Sequence, residues 1–322
     1  MDLLACRFRQ AVALLLELIG GAAMRQASLR GAAMFRKVPT VICGLILMSQ
    51  SVAAQSAGVG VWENPSYTAL GWIESQPGLG WYYNWRTDEI AQKGSARRSV
   101  EFVPMIHSAS NIDDPIRSDL KPHTLLGFNE PDGKGGQHQA GMTVEAAADL
   151  WSRLEATGLR LGSPATTQAG TLGEGSWQRR FMDEVERRGL RVDFMAVHYY
   201  STDGDVDALR HWLVAVHEAY DRPIWVTEFA YVDWSDPKRA TYESNARFAA
   251  ESIRMMETLP FVERHAWFAM NPYPWNGLVP AINLVDNDLQ PTPVGEAFAE
   301  AVSGLAPVNV ADLGGQSDSL SQ

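Results

Sequence analysis

Two glutamates occur in short motifs of a kind that can carry hydrolytic chemistry. Glu130 lies in Gly127-Phe128-Asn129-Glu130-Pro131-Asp132, and Glu228 lies in Trp225-Val226-Thr227-Glu228-Phe229-Ala230. A lone glutamate is most often a surface charge. A pair of carboxyl groups can cleave a glycosidic bond when one protonates the leaving oxygen and the other attacks the anomeric carbon. The two motifs are therefore interpreted together, and the fold must bring them together.

Each motif ends an apolar run, and such runs alternate with helical-period segments along the chain. Eight runs are predicted as strands, namely 58–62, 80–85, 100–107, 124–130, 160–165, 192–200, 223–229 and 264–270. Helices are predicted over 144–156 after Thr143, over 177–188 after Ser176 and over 242–257 after Thr241, where a hydroxyl can cap the first turn. Alternation of this kind predicts β/α units with a buried parallel sheet.

Residues 55–304 are predicted to form a single α/β domain, a (β/α)8 TIM barrel. An open doubly wound sheet is the alternative, but the Gly-rich turn that such a sheet carries after its first strand does not follow residues 58–62. Barrel active sites lie at the C-terminal ends of the strands, so Glu130 from strand four and Glu228 from strand seven are expected to meet there.

The N-terminal segment has the layout of a secretory signal. The basic stretch Met34-Phe35-Arg36-Lys37 precedes the apolar run 38–48 and the small residues Val52-Ala53-Ala54, which predicts cleavage after Ala54 and a secreted or periplasmic location. A membrane anchor is the alternative, although the run is shorter than the about 20 residues that a spanning helix needs. The mature chain would then have about 270 residues. Translation could begin at Met1, Met24 or Met34.

Composition and motifs limit which classes of binding partner and which kinds of catalytic site are expected. The net charge is -11 and no basic stripe occurs, so neither a nucleic acid nor, after cleavage, a membrane is expected as a partner. Both cysteines, Cys6 and Cys43, precede the cleavage site, and no His-Glu-x-x-His motif is present, so no metal and no cofactor are expected. The Gly-x-Ser-x-Gly elbow of serine hydrolases is absent as well. We expect a monomer with a disordered tail over 305–322.

Several motifs together resemble glycoside hydrolase family 128, a branch of the retaining clan A that consists mainly of β-1,3-glucanases. They are Trp81-Tyr82-Tyr83-Asn84-Trp85, Glu101-Phe102-Val103-Pro104-Met105, the Glu130 motif, Gly162-Ser163-Pro164-Ala165, Asp193-Phe194-Met195-Ala196-Val197-His198 and Trp225-Val226-Thr227-Glu228-Phe229. The resemblance implies that Glu130 is the acid/base, that Glu228 is the nucleophile and that Asn129 holds the sugar 2-hydroxyl. It also implies a β-1,3-glucan substrate.

Further substrate contacts are predicted at the strand tips. His198 and Tyr200 share one face of strand six, and Tyr200 is the expected hydrogen-bond partner of Glu228. The other candidates are Asn84, Trp85, His107, Trp234, Trp267 and Trp275. Flat indole rings stack on sugars, although core packing is the ordinary role of a tryptophan and is expected for Trp81. His107 stands where the family usually carries an aromatic residue, so the neighbouring subsite is expected to differ.

The sequence thus predicts a secreted, retaining endo-β-1,3-glucanase. Glu130 is expected to be protonated through a raised pKa, and Glu228 is expected to be ionised beside hydrogen-bond donors. Two alternatives stay open. The same glutamates could serve another linkage, such as β-1,4-glucan or mannan, because the pair does not encode linkage. A barrel that binds β-1,3-glucan without turnover is the other.

Overall fold

The computed structural model describes residues 55–305 except Ala96 and Gln137. The predicted signal peptide and nearly all of the predicted tail lie outside the described residues, so those two expectations stay predictions. Within the described part, the helices are all too short or too polar to cross a lipid bilayer.

Eight parallel strands form the centre of the described domain. They are β1 (Ala57–Gly60), β2 (Trp81–Tyr83), β3 (Glu101–Phe102), β4 (Thr124–Leu125), β5 (Arg160–Leu161), β6 (Met195–Ser201), β7 (Ile224–Tyr231) and β8 (Val262–Trp267). All eight predicted strands are present. The three in the middle of the chain are shorter than predicted, and Pro104 and Pro164, which lack an amide hydrogen, lie just beyond two of them.

The strands close into a ring. Six of them pair in the order β3-β2-β1-β8-β7-β6, and β4 pairs with β5. Two isolated parallel bridges join these groups: Met105 pairs with Leu126 beyond β3 and β4, and Gly162 pairs with Phe194 between β5 and β6. A parallel sheet without free edges is a barrel, which confirms the predicted TIM-barrel class.

Helices cover most of the outside of the barrel. They are α1 (Ala69–Ser75), α2 (Val144–Glu155), α3 (Gln168–Thr171), α4 (Trp177–Arg188), α5 (Val206–Tyr220), α6 (Tyr242–Met256) and α7 (Pro293–Ser303). The hydroxyls of Thr143, Ser176 and Thr241 accept amide hydrogen bonds at the first turns of α2, α4 and α6, as the sequence predicts.

Two of the eight β/α units lack an α-helix among the described residues. The connection from β2 to β3 has no helix, and the connection from β3 to β4 has only a short 3₁₀ turn over Ala109–Asn111. Few apolar residues recur at helical spacing in the first connection, and Pro104, Pro115 and Pro122 interrupt the second. The barrel is therefore covered by loops on this side.

Large aromatic side chains fill the interior of the barrel. Trp225 stacks on Phe194 with ring centres 4.3 Å apart and lies 5.3 Å from the ring of Trp81, and all three are buried. Small residues make room for them. A Cβ atom on Gly58 would lie 2.3 Å from the Trp81 ring, and one on Gly162 would lie 2.7 Å from the Phe194 ring. Trp81 is thus a core residue, as predicted.

Candidate active site

Glu228 lies in the C-terminal half of its strand and Glu130 lies beyond the C-terminal end of its strand, on the side expected for a barrel site. Glu130 follows β4, and its amide donates to Ala165 O at 2.7 Å. Its φ of 42° falls in the left-handed region, which non-glycine residues rarely adopt and which is over-represented at functional sites. Glu228 lies within β7, after a bulge at Thr227 that brings it level with His198 of β6.

His198 joins the two carboxyl groups. Its Nδ1 atom lies 3.1 Å from Glu130 Oε1 and 3.4 Å from Glu228 Oε2, and its side chain is fully buried. One ligand atom from each of the three residues lies within 4.8 Å of the other two. Glutamates that are 98 positions apart in the sequence therefore face each other across a single imidazole.

Glu228 is surrounded by hydrogen-bond donors and is only 4% exposed. Tyr200 donates its hydroxyl to Oε2, and Trp85 Nε1 donates to Oε1 at 2.9 Å. The Tyr83 hydroxyl lies 3.4 Å from the same Oε1 atom and donates a shorter bond of 2.8 Å to the Thr227 carbonyl. These donors fix the orientation of the carboxyl group and leave little freedom for rotation.

Glu130 is more open, with 16% of its side chain exposed. Gln139 Nε2 donates to Oε2 at 2.8 Å, so Glu130 is held from both sides, by Gln139 and by His198. The loop that carries Gln139 folds back over the end of β4, because Ala140 donates its amide to Asn129 O at 2.7 Å. This loop therefore positions the carboxyl group that faces the cleft.

The two glutamates differ in pKa because their surroundings differ. Burial raises the pKa of Glu228, and the nearby Glu130 charge raises it further, while His198 and the Tyr200 and Trp85 donors offset only part of the rise. Burial also raises the pKa of Glu130, but the hydrogen bond and charge of His198 and the bond from Gln139 outweigh it, so this pKa lies below its ordinary value. The order expected from the sequence is thus reversed in the substrate-free site.

The protonation of His198 follows from the same contacts. Burial lowers its pKa, but the adjacent Glu228 and Glu130 carboxyl groups raise it more, so the net shift is upward. The buried Nε2 atom has no hydrogen-bond partner within the described part of the chain, so Nδ1 is the ring nitrogen that contacts the carboxyl groups. Nδ1 therefore links the three side chains.

Asn129 and His107 lie beside Glu130. Asn129 is 3% exposed and donates Nδ2 to the His138 carbonyl at 2.9 Å, while its buried Oδ1 has no partner among the described residues. His107 is half-buried, and burial together with the charge of His138 lowers its pKa. Its carbonyl accepts the Asn129 amide at 2.9 Å, so the ends of β3 and β4 are tied together here.

Aromatic rings surround the cleft above the glutamates. Trp234 lies 5.1 Å from Tyr200, 5.3 Å from Trp275 and 5.8 Å from Tyr273, measured between ring centres. Trp85 lies 5.7 Å from Phe268 and 6.0 Å from Trp62. Three of the predicted tryptophans, Trp85, Trp234 and Trp275, thus belong to one aromatic wall.

Two predicted contacts lie elsewhere. Trp267 is fully buried in the core outside the barrel, 5.0 Å from Phe229 between ring centres, and its Nε1 donates to Ile282 O at 2.6 Å. Along β8 the side chains alternate, so the next residue, Phe268, faces the cleft instead. The side chain of Asn84 makes its hydrogen bonds within its own loop, where it donates to Asp88 O at 2.7 Å and accepts from the Arg86 amide at 3.2 Å. Neither residue is retained as a substrate contact.

Several site residues were not predicted, among them Trp62 and Tyr273 of the aromatic wall, Tyr83, Phe268 and Gln139. Tyr83 and Phe268 could have been found by strand alternation, because Tyr83 shares a face with Trp85 and Phe268 shares one with Ala266. Gln139 comes from a loop of glycines and polar residues, and no local sequence pattern indicates that it would reach Glu130.

Most of the described domain is similar to known glycoside hydrolases. The family profile described as "Glycosyl hydrolase catalytic core" matches residues 60–298. A crystal structure of a GH128 (subgroup I) endo-beta-1,3-glucanase from Amycolatopsis mediterranei in complex with laminaritriose is 36% identical, with a TM-score of 0.65, and the match covers 77% of this chain and 99% of that one.

The chain belongs to glycoside hydrolase family 128. Alkali-sensitive linkage protein 1 of Schizosaccharomyces pombe is 29% identical over 212 residues, which are 63% of this chain and 37% of that protein. The chain therefore matches only about a third of the length of this relative. A GH128 (subgroup VII) oligosaccharide-binding protein from Trichoderma gamsii is 22% identical with a TM-score of 0.60, covers 78% of this chain and 95% of that one, and supports the fold alone.

Proposed function

We propose that this protein is an exported retaining endo-β-1,3-glucanase, with Glu130 as acid/base and Glu228 as nucleophile. The observation that carries the proposal is the close approach of the two carboxyl groups, whose oxygens beside His198 lie within 4.8 Å of each other. Retaining glycosidases hold their carboxyl groups about 5–5.5 Å apart, whereas inverting enzymes need about 6.5–9.5 Å to admit a water molecule. The spacing supports direct attack by a carboxylate.

The assignment of roles rests on the contacts of each glutamate. Glu228 is buried, and its oxygens are oriented by Tyr200 and Trp85, as a group that must attack one carbon atom along one direction requires. Glu130 is the more open of the two and faces the cleft, where it can protonate a leaving oxygen and later take a proton from water. Both steps require Glu130 to exchange protons with groups that enter from solvent.

The pKa shifts of the substrate-free site oppose the protonation states that the first step needs. Glu228 must be ionised to attack and Glu130 must be protonated, whereas burial raises the pKa of Glu228, and His198 and Gln139 outweigh burial and lower the pKa of Glu130. His198 Nδ1 contacts both groups, so a proton taken up by Glu228 can pass to Nδ1 while a proton on Nδ1 passes to Glu130 Oε1. This exchange moves one proton from the nucleophile to the acid and leaves the charge of the cluster unchanged.

The β-1,3 linkage is supported by the relatives rather than by the glutamates. The Amycolatopsis structure contains a β-1,3-linked trisaccharide, and its chain is matched over nearly its full length. The aromatic wall around Trp234 offers flat apolar surface for sugar rings beyond the cleaved bond. Export is proposed from the N-terminal sequence pattern alone.

A second candidate function is glucan binding without hydrolysis; family 128 also contains an oligosaccharide-binding protein, from Trichoderma gamsii. The close pair of carboxyl groups and the hydrogen-bond donors around Glu228 argue for hydrolysis. Hydrolysis of another linkage, such as β-1,4-glucan or mannan, is the third possibility.

The deciding experiment compares linear β-1,3-glucan and β-1,4-glucan as substrates of the wild type and of Glu228→Gln. We expect a range of oligosaccharides from the β-1,3 polymer only, a first-formed β anomer by NMR, and no products from the variant. Tight binding of laminarihexaose by the wild type without any new reducing ends would instead establish a binding protein. N-terminal sequencing of the exported protein tests cleavage after Ala54.

A further inference from the structure

The geometry points to a second ligand of the catalytic cluster: we propose that Glu130, His198 and Glu228 together bind a single Zn²⁺ ion, which blocks the cleft reversibly. The inference rests on the proposed function only for its effect on catalysis, because metal binding itself does not depend on hydrolysis. It departs from the sequence-based expectation of no metal.

The donor atoms have the chemistry and spacing of zinc ligands. Zinc binds imidazole nitrogen and carboxylate oxygen at about 2.0–2.2 Å, which places ligand atoms of a tetrahedral site about 3.3 Å apart. Nδ1 of His198 lies 3.1 Å from Glu130 Oε1 and 3.4 Å from Glu228 Oε2. The two carboxylate oxygens lie within 4.8 Å of each other, so an ion bound at Nδ1 reaches both of them once the Glu130 and Glu228 side chains rotate toward it, and the fourth position is left to water.

Neighbouring donors hold these ligands in place. Gln139 bonds the other oxygen of Glu130, and Trp85 bonds the other oxygen of Glu228, so each carboxylate already turns one oxygen toward His198. Such outer hydrogen bonds orient metal ligands and raise affinity. Two negative carboxylates and one neutral imidazole also compensate most of the charge of a divalent cation. Among the described residues, no other three His, Cys, Asp or Glu side chains bring their ligand atoms as close together as these three do.

One feature limits the affinity. Metal-bound histidines usually donate their second ring nitrogen to an acceptor, and losing that bond weakens binding about 10- to 100-fold. Nε2 of His198 is buried and has no acceptor among the described residues. The site is therefore expected to bind zinc more weakly than a structural zinc site, as reversible inhibition requires.

Calorimetric titration of ZnCl₂ into the untagged full chain tests the proposal. Cys6 and Cys43 are replaced by serine in every sample, because thiolates bind zinc on their own. We expect one ion per chain, with affinity reduced roughly tenfold or more in Glu130→Gln and in Glu228→Gln, which keep the side-chain shape. The control variant His211→Gln removes an exposed histidine of α5 and should bind as the parent does. Mg²⁺, which prefers octahedral oxygen sites, should not bind.

Unchanged zinc affinity in both glutamine variants, or no binding by the parent, would overturn the proposal. His198→Gln is informative only if circular dichroism shows a native fold, and the glutamate variants keep the test decisive without it. In parallel, zinc should lower kcat/KM on laminarihexaose, and EDTA should restore it. A protein that binds zinc at this cluster but never cleaves glucan would refute the proposed function and leave this inference standing.

Discussion

Tyr200→Phe is the substitution that most directly tests the role assigned to Glu228. The Tyr200 hydroxyl donates to Glu228 Oε2 in a site where Glu228 is 4% exposed, so water cannot easily replace it. A hydrogen bond to a charged group contributes about 1.5–3 kcal/mol. At about 1.36 kcal/mol for each factor of ten, its loss from the reactive state lowers kcat about 10- to 150-fold.

The same substitution should change the pH dependence of the reaction. The Tyr200 hydrogen bond lowers the pKa of Glu228 against the larger effect of burial, so its removal raises that pKa further. Glu228 must be ionised to attack, and activity is lost as pH falls through its pKa. The acid limb of the kcat/KM profile should therefore move to higher pH in Tyr200→Phe.

The assay is initial-rate hydrolysis of laminarihexaose across pH, with thermal unfolding to verify the fold. Tyr199→Phe is a matched control, because Tyr199 is the neighbouring residue of β6 but packs against Trp212, with ring centres 5.2 Å apart, on the helix side. It should leave rate and profile nearly unchanged. If Tyr200→Phe retains full activity and an unmoved acid limb, or if both variants lose activity equally, the proposed contact between Tyr200 and the nucleophile has no catalytic role.

Three further perturbations follow from the described contacts. Gln139→Leu removes a hydrogen bond that lowers the pKa of Glu130, so the pKa of Glu130 should rise. The alkaline limb of the kcat/KM profile, where the acid is lost, should then move to higher pH, and an unmoved limb would exclude Gln139 from this role. Gly58→Ala should lower the free energy of unfolding by about 1–3 kcal/mol, because the added methyl group overpacks the barrel interior, whereas Gly71→Ala, in open space on α1, should raise it by about 0.5–1 kcal/mol. Chemical denaturation measures both changes, and equal effects would contradict the packing described. Trp234→Ala should raise KM for laminarihexaose more than it lowers kcat, and an unchanged KM would remove this ring from the substrate site.

Strand order and class could be predicted because they depend on patterns that repeat locally. Continuous apolar runs such as that around Val197 identify buried parallel strands, and cap residues such as Ser176 mark where helices begin. The helix missing between β2 and β3 could have been anticipated from the lack of helical periodicity over 84–100. The sequence predicted less well which side chains face the cleft. Trp267 was predicted to do so, but it points into the core, and the next residue, Phe268, faces the cleft instead.

The order of the two glutamate pKa values could not be predicted from the sequence. It depends on His198 Nδ1 lying 3.1 Å from one carboxyl group and 3.4 Å from the other, and on the burial of Glu228 being the more complete. It also depends on Gln139, which reaches Glu130 from a loop whose path no periodic pattern specifies. Distances of this kind result from the closed barrel as a whole and not from any one segment.

The uneven pairing of the strands implies that local opening of the barrel is uneven as well. Strands β6 and β7 are paired at seven positions, whereas β4 and β5 are paired at two, beside the two connections without an α-helix. Backbone amides with few cooperative neighbours exchange with solvent through small openings, well below the cost of global unfolding. Hydrogen exchange should therefore be fastest around β3 to β5, which carry Glu130, and slowest in β7, which carries Glu228. The proposed acid/base would then lie on the part of the barrel that opens most readily, and the proposed nucleophile on the part that opens least readily.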